Sequence, residues 1–329
     1  MRTIVTGGAG FIGSHLVDRL LADGHLVRVL DDFSTGRPEN LAHLAREPRL
    51  SVERVDVSEA GRLTGLLAGA DWVFHLAALA DIVPSIERPL DYHRANVDGT
   101  VAVLEAARAA GIRRFLYAAS SSCYGIPDAY PTPETAPPRP QYPYALTKYL
   151  GEQCVLHWER VYRMPAVSLR LFNVYGPRSR TSGTYGAVFG VFLAQKLNGR
   201  PFTVVGDGTQ SRDFTFVSDV ADAFVTAAQS SVAGEVFNVG TGAPVPVNRL
   251  VELLGGDVVH VPKRPGEPDR THADISRIRS RLGWRPKVSI EEGVRILLDN
   301  IEYWRQAPVW TPESIDTATR AWFRYLGKE

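Results

Sequence analysis

Short apolar runs and helical periodicities alternate through the first half of the chain. The runs TIVTG (3–7), LVRVLDD (26–32), SVERVDV (51–57), WVFHLAA (72–78), FLYAAS (115–120) and AVSLRLF (166–172) read as strands buried on both faces, as in a parallel sheet. Between them, helical patterns cover 12–23, roughly 59–69, 91–110 and 144–163. The alternation predicts an α/β fold with a right-handed, doubly wound parallel sheet. After Phe172 the rhythm breaks. A glycine-rich loop (173–186), a helix at 187–198 and a short strand, FTVVG, come next. FTFVSDVADAFVTAAQ (214–229) reads as a strand and capped helix returning to the first lobe. The expected division is therefore 1–172 plus 214–240 for the sheet domain, and 173–213 plus 241–329 for a smaller mixed α/β lobe across a shared cleft.

Charge and composition narrow the partners. Lys and Arg (37) nearly balance Asp and Glu (36), so no strong field invites nucleic acid or an anionic membrane. No apolar run is long enough to span a bilayer, and the start, MRTIVTGGAG, is a strand entering a glycine turn rather than a signal peptide. Cys123 and Cys154 suit a reducing cytosol, and the expected localisation is cytoplasmic. His75 has no ligand partners in its surroundings, so no metal is expected.

Candidate chemistry begins at TIVTGGAGFIGSHLVDRLLADG, which sets Gly7, Gly10 and Gly13 between a strand and a helix. Glycines there allow a tight turn and let the backbone approach a pyrophosphate at the helix N-terminus. Asp31, ending the next strand, stands where a carboxylate accepts the ribose 2′-hydroxyl of NAD and repels the 2′-phosphate of NADP. Arg37 could serve such a phosphate, but Asp31 favours NAD, with Arg37 a solvated loop cation. Farther on, Tyr144 and Lys148 lie one helical turn apart and face the same way. A nearby ammonium, with the positive nicotinamide, is expected to lower the phenol toward working pH, where a general base is useful. A serine cluster, SSSCYG (120–125), lies one loop upstream.

With TGGAGFIG, HLAA (75–78), SSSCYG, YALTK (144–148) and SRDFTFVSDVADA (211–223) in this order, the chain resembles the extended short-chain dehydrogenase/reductase family. More narrowly it is similar to the nucleotide-sugar 4-epimerase and dehydratase group. The resemblance runs from Met1 to about Trp304; the segment 306–329 is outside it. It implies a Rossmann-type NAD domain, a lobe gripping a nucleoside-diphosphate sugar, and a tightly held NAD. For the cofactor it implies Gly7, Gly10, Phe11, Ile12 and Gly13, then Asp31, Asp32, Ser34, Thr35 and Gly36. Further along it implies Asp56, Val57, Leu76, Ala77, Ala78 and Asn96, then Tyr144, Lys148 and Phe172.

Ser120 matches the family serine that hydrogen-bonds the sugar hydroxyl and shares its proton with the tyrosine, making Ser120, Tyr144 and Lys148 the catalytic set. Ser121 and Ser122 fall where related 4,6-dehydratases carry an acid or amide and a Glu. Hydroxyls of ordinary pKa cannot move those protons, which points to a 4-epimerase. Cys123 reads as small packing.

At the substrate end the resemblance implies Asn173, Ala187 and Val188, a uridine slot at Thr203 and Val205, and diphosphate-binding arginines at Arg212 and Arg264. The bland reading of those arginines is surface salt bridging. Thr271 matches a position where a bulky tyrosine restricts some members to glucose and galactose, and a small residue admits a 2-acetamido group. TSGTYGAVF (181–189) resembles the loop of N-acetylhexosamine epimerases, whereas Arg180 falls where glucuronate 4-epimerases bind a C6 carboxylate.

The expectation is a UDP-GlcNAc/UDP-GalNAc 4-epimerase, with UDP-Glc/UDP-Gal as the additional pair. The rivals are a UDP-glucuronate 4-epimerase, a net 4-keto reductase, and a non-catalytic NAD-binding regulator on the same fold. The family's habit of pairing through two helices implies a homodimer through 91–110 and 144–163.

Overall fold

The computed structural model describes residues 1–179 and 186–327. Six strands come first: β1 (Arg2–Thr6), β2 (Leu26–Asp31), β3 (Leu50–Arg54), β4 (Trp72–His75), β5 (Arg114–Ser120) and β6 (Ala166–Leu171). With the strand Glu235–Val239 they form one seven-stranded sheet, ordered 235–239, β6, β5, β4, β1, β2, β3, with every pair parallel.

The apolar strands are explained by cover on both faces. Leu116 and Phe74 pack with Leu16, Leu20 and Phe224 of the helices Phe11–Ala22 and Val217–Gln229. Their strand neighbours Phe115, Tyr117 and Val73 turn the other way, against Leu63, Leu104 and Val155. Those side chains come from the helices Ala60–Leu67, Gly99–Ala110 and Pro143–Tyr162. Each fully buried side chain of this size is worth roughly 1.5–3 kcal/mol, so the two faces lock the sheet from either side. A third cluster, around Phe189, Phe192, Phe202, Phe214, Leu250 and Trp304, lies beyond β6, where the strands Phe202–Val205 and Val258–Val261 pair in parallel.

Two differences from the sequence pattern matter for the site. The stretch 91–110 is a helix Pro89–His93, a widened turn Arg94–Asp98 and a helix Gly99–Ala110. Buried Asn96 bonds both backbone groups of Leu79 and the Thr147 hydroxyl, ties that periodicity does not reveal. Second, the C-terminal segment forms the helix Pro312–Leu326, started by a Thr311–Ser314 capping box and burying Ile315, Thr319 and Trp322.

Strand order reverses at β1, whose neighbours are β2 on one side and β4 on the other. A crevice opens at the C-terminal ends of strands at such a point. Among the described residues no helix is long and apolar enough to cross a membrane.

Candidate active site

The loops leaving β1 through β6 all line one cleft of about 1020 Å³. Its first wall is the glycine turn. Gly7 has φ +70°, and a side chain there would meet the Ala77 amide nitrogen at 2.7 Å; one at Gly13 would collide with the Gly7 carbonyl. The helix Phe11–Ala22 starts from extended Gly10 with no side-chain cap, so its first amides remain for an anionic ligand. Asp31, 5% exposed, accepts the amides of Ala9 and Phe33 at 2.9 Å each and still borders the cleft. Burial pushes its carboxyl up, against the pull of those two amides. This cradle, free of side chains where a pyrophosphate lies and acidic where a ribose diol lies, fits a dinucleotide.

Phe11, Ile12, Asp32, Ser34, Thr35, Asp56, Val57, Leu76, Ala77, Ala78 and Phe172 line the same cleft. Gly36 and Asn96 do not. Gly36 makes room for Asp31, whose carboxylate oxygens would lie 2.7 and 2.8 Å from a Cβ there, and Asn96 is fully buried behind the wall. Arg37 is half-buried and bonds Tyr303 rather than lying free in solvent. His75 is fully buried, with Nδ1 2.7 Å from Thr6 Oγ1 and Nε2 3.0 Å from Thr100 Oγ1. Burial, then the charge of Lys148, lowers it to about 3, so it is a neutral brace.

The helix Pro143–Tyr162 opens with proline at its first turn and carries Tyr144 and Lys148 into the cleft. Gly151 lets it press on the sheet, because a Cβ there would collide with the Tyr117 hydroxyl. Ser120 ends β5, and its oxygen accepts the Ser122 hydroxyl at 2.8 Å and the Ser122 amide at 3.2 Å. Lys148 is 4% exposed, with Nζ 4.3 Å from the centre of the Tyr117 ring. Burial drops Lys148 to about 7, with Glu152, one turn along, opposing.

Tyr144 stands one turn before Lys148 on the same helix. Burial holds its phenol above the ordinary value, the hydrogen bond with Ser120 pulls it down, and the charge of Asp81 raises it. The Cys123 thiol, buried, is pushed up to about 12, which suits packing and not nucleophilic attack.

At the far end Asn173, Ala187, Val188, Thr203, Val205, Arg212, Arg264 and Thr271 line the cleft, as do Ser121 and Ser122. Thr271 Oγ1 donates to Asn173 Oδ1 at 2.8 Å and accepts the Asp213 amide at 3.0 Å. Arg212 and Arg264 converge on one carboxylate, Glu267, at 2.8 and 3.1 Å. They are ion-paired, but inside the cleft and not on the surface. Arg180 and residues 181–185 lie outside the described residues.

Among the cleft residues that sequence reasoning passed over are Asp81, Tyr142, Glu267 and Trp322. Glu267 sits three residues after Arg264 in KRPGE, a spacing that signals an ion pair. Tyr142, stacked on Tyr144 at 6.4 Å, and Trp322 carry no local signal, because tertiary packing alone brings them in. Among the described residues no group of His, Cys, Asp or Glu could hold a metal ion.

One cleft thus takes in the side-chain-free glycine cradle, Ser120, Tyr144 and Lys148, and two arginines that converge on one carboxylate. Comparison with known proteins is more specific. The model of the NAD dependent epimerase/dehydratase family matches residues 3–240. The chain is 43% identical over 304 residues to the UDP-glucose 4-epimerase of Mycolicibacterium smegmatis, covering 89% of this chain and 96% of that one. The UDP-N-acetylglucosamine 4-epimerase of Methanobrevibacter ruminantium, solved with UDP-N-acetylmuramic acid, superposes with a TM-score of 0.85 at 34% identity, over 91% of this chain and 98% of that one. The UDP-glucuronic acid 4-epimerase of Bacillus cereus, solved with UDP-glucuronic acid and NAD, gives 0.85 at 32%, over 92% and 99%. The chain belongs to the NAD dependent epimerase/dehydratase family. It is an NAD-dependent epimerase of the nucleotide-sugar group.

Proposed function

We propose that the protein interconverts UDP-N-acetylglucosamine and UDP-N-acetylgalactosamine, and with them UDP-glucose and UDP-galactose, by inverting C4. The observation that carries the reading is Thr271, a small side chain tied to Asn173 in the cleft wall, which leaves space for a 2-acetamido group. Asp81 adds a reason against a uronate. Its charge reaches Tyr144, so it would also repel a C6 carboxylate brought to that end of the cleft.

NAD held along the cradle of Gly7, Gly10, Gly13 and Asp31 would supply the hydride chemistry at C4. Tyr144 takes the proton of the C4 hydroxyl, and Ser120, already bonded to the phenol, orients that hydroxyl. Lys148 faces the same way one turn on and provides the cation that favours the phenolate. Arg212 and Arg264 hold the diphosphate while the oxidised sugar turns over and presents its other face. Ser121 and Ser122 supply no carboxyl for eliminating water. The cofactor is held through turnover, so substrate is consumed with no net change in NADH absorbance.

The test is a panel of UDP-sugars with chromatography of the products. Turnover of UDP-glucuronate in an enzyme indifferent to acetamido sugars would replace this reading with the uronate one. Thr271→Tyr sharpens the test by placing a ring where the acetamido group must pass. Overfilling a shaped pocket costs about 1–3 kcal/mol, so roughly a ten- to hundredfold fall in kcat/KM is expected for the two acetamido sugars. UDP-glucose and UDP-galactose should be largely spared, and an equal loss on all four sugars would remove Thr271 as the gate.

We also propose a cytoplasmic homodimer formed through the helices Gly99–Ala110 and Pro143–Tyr162, two per subunit. Leu146, Val161 and Tyr162 of the second helix are 45%, 51% and 48% exposed, apolar surface that a partner would cover. Sedimentation at micromolar concentration should give a dimer; a monomer there counts against the pairing.

A further inference from the structure

We propose that the helix Pro312–Leu326 completes the substrate cleft, and that Trp322 is a positioning residue for Arg264, aiming its guanidinium at the diphosphate. The proposal rests on the UDP-sugar reading above. It concerns a part of the chain beyond the 3–240 matched by the family model.

Arg264 lies in the segment between the strand Val258–Val261 and the helix Ser276–Leu282, where no ladder of hydrogen bonds fixes side-chain direction. Trp322 fixes it twice. Its indole N–H donates to the carbonyl of Pro265, the next residue, at 2.7 Å, and its ring lies 5.2 Å from the Arg264 guanidinium carbon. The indole is 3% exposed, yet it borders the cleft beside Arg264 and Glu267. On its other side stands Tyr142, at 6.2 Å, and Tyr142 in turn stacks on Tyr144.

The helix is itself well anchored. Ile315, Thr319 and Trp322 form its buried stripe, and it packs against Ile82–Glu87, which follows the β4 loop of the cleft. A residue that only filled space would need neither the N–H bond nor the planar face toward a guanidinium. An arginine that must grip a diphosphate with two donors gains from both, because a prearranged fork loses less freedom on binding.

The test is calorimetric binding of UDP to the NAD-loaded protein, in the parent, Trp322→Leu, Arg264→Ala and the double variant. Trp322→Leu should weaken UDP by roughly tenfold, with kcat at saturating sugar changed far less than KM. Acting through Arg264, it should add almost nothing in the Arg264→Ala background, whereas losses from a general loosening of the fold would add. Trp322→Phe, which keeps the ring and loses the N–H, should recover most of the affinity. Trp322→Met gives the same comparison with a side chain that adapts to irregular gaps, so a misfolded leucine variant does not end the test. UDP affinity within twofold of the parent in Trp322→Leu or Trp322→Met, or additive losses in the double variant, overturns the proposal. A parent that fails to bind UDP overturns the UDP-sugar reading, and this inference with it.

Discussion

Tyr144→Phe should abolish nearly all turnover, by roughly 10²–10⁴ for loss of the general base alone, while the protein keeps its fold and its NAD. The change removes one oxygen. The ring keeps its stack on Tyr142 and its place in the first turn of the helix Pro143–Tyr162, so packing gives no reason for unfolding. What disappears is the group that Ser120 orients and Lys148 faces. Product chromatography on UDP-sugars, with circular dichroism and the cofactor-to-protein absorbance ratio as controls, reads the outcome. Activity within tenfold of the parent would remove Tyr144 from its role.

The largest loss of stability is expected from Arg170→Met. Arg170 on β6 grips Glu152 with two bonds, Nη2 to Oε1 at 2.6 Å and Nε to Oε2 at 3.0 Å, and its remaining nitrogen bonds the Tyr124 hydroxyl at 2.8 Å. The two charged side chains are 6% and 1% exposed. Removing one partner strands a carboxylate in the core, with only the Ser168 hydroxyl left to it among these groups, and costs about 3–5 kcal/mol. Replacing both, in Arg170→Met with Glu152→Met, should recover much of that loss, since neither member of the pair is then left buried alone. Urea unfolding of the single and double variants measures both. A single variant within 1 kcal/mol of the parent, roughly the worth of a surface pair, would mean water reaches the site.

The Tyr144–Lys148 helix, the Ser120 strand end and the glycine turn were legible because each rests on local spacing: a helical turn, a strand stop, a glycine interval. Asp31 was legible because it ends a strand whose apolar pattern is unambiguous. Residues whose place depends on distant parts of the chain were not. Trp322 reaches Arg264 across 58 positions, and the widening at Arg94–Asp98 depends on Asn96 finding Leu79 and Thr147. Spacing likewise shows that a lysine is near Tyr144, but not how deeply the two groups are buried.

The arrangement of the six loops has a consequence for how such an enzyme diverges. The residues that line the cleft from the sheet strands and the loops after them stand at or just past the C-terminal ends of those strands. Mutation in those loops leaves the packed strand faces untouched, so a lineage can try new sugars without first losing foldedness. The exception is the helix bearing Tyr144 and Lys148, where Gly151 leaves no space for a methyl group against Tyr117. Drift should therefore be fast in those loops and nearly frozen at Gly151, so that inherited change alters which sugar is turned over long before it alters the reaction itself.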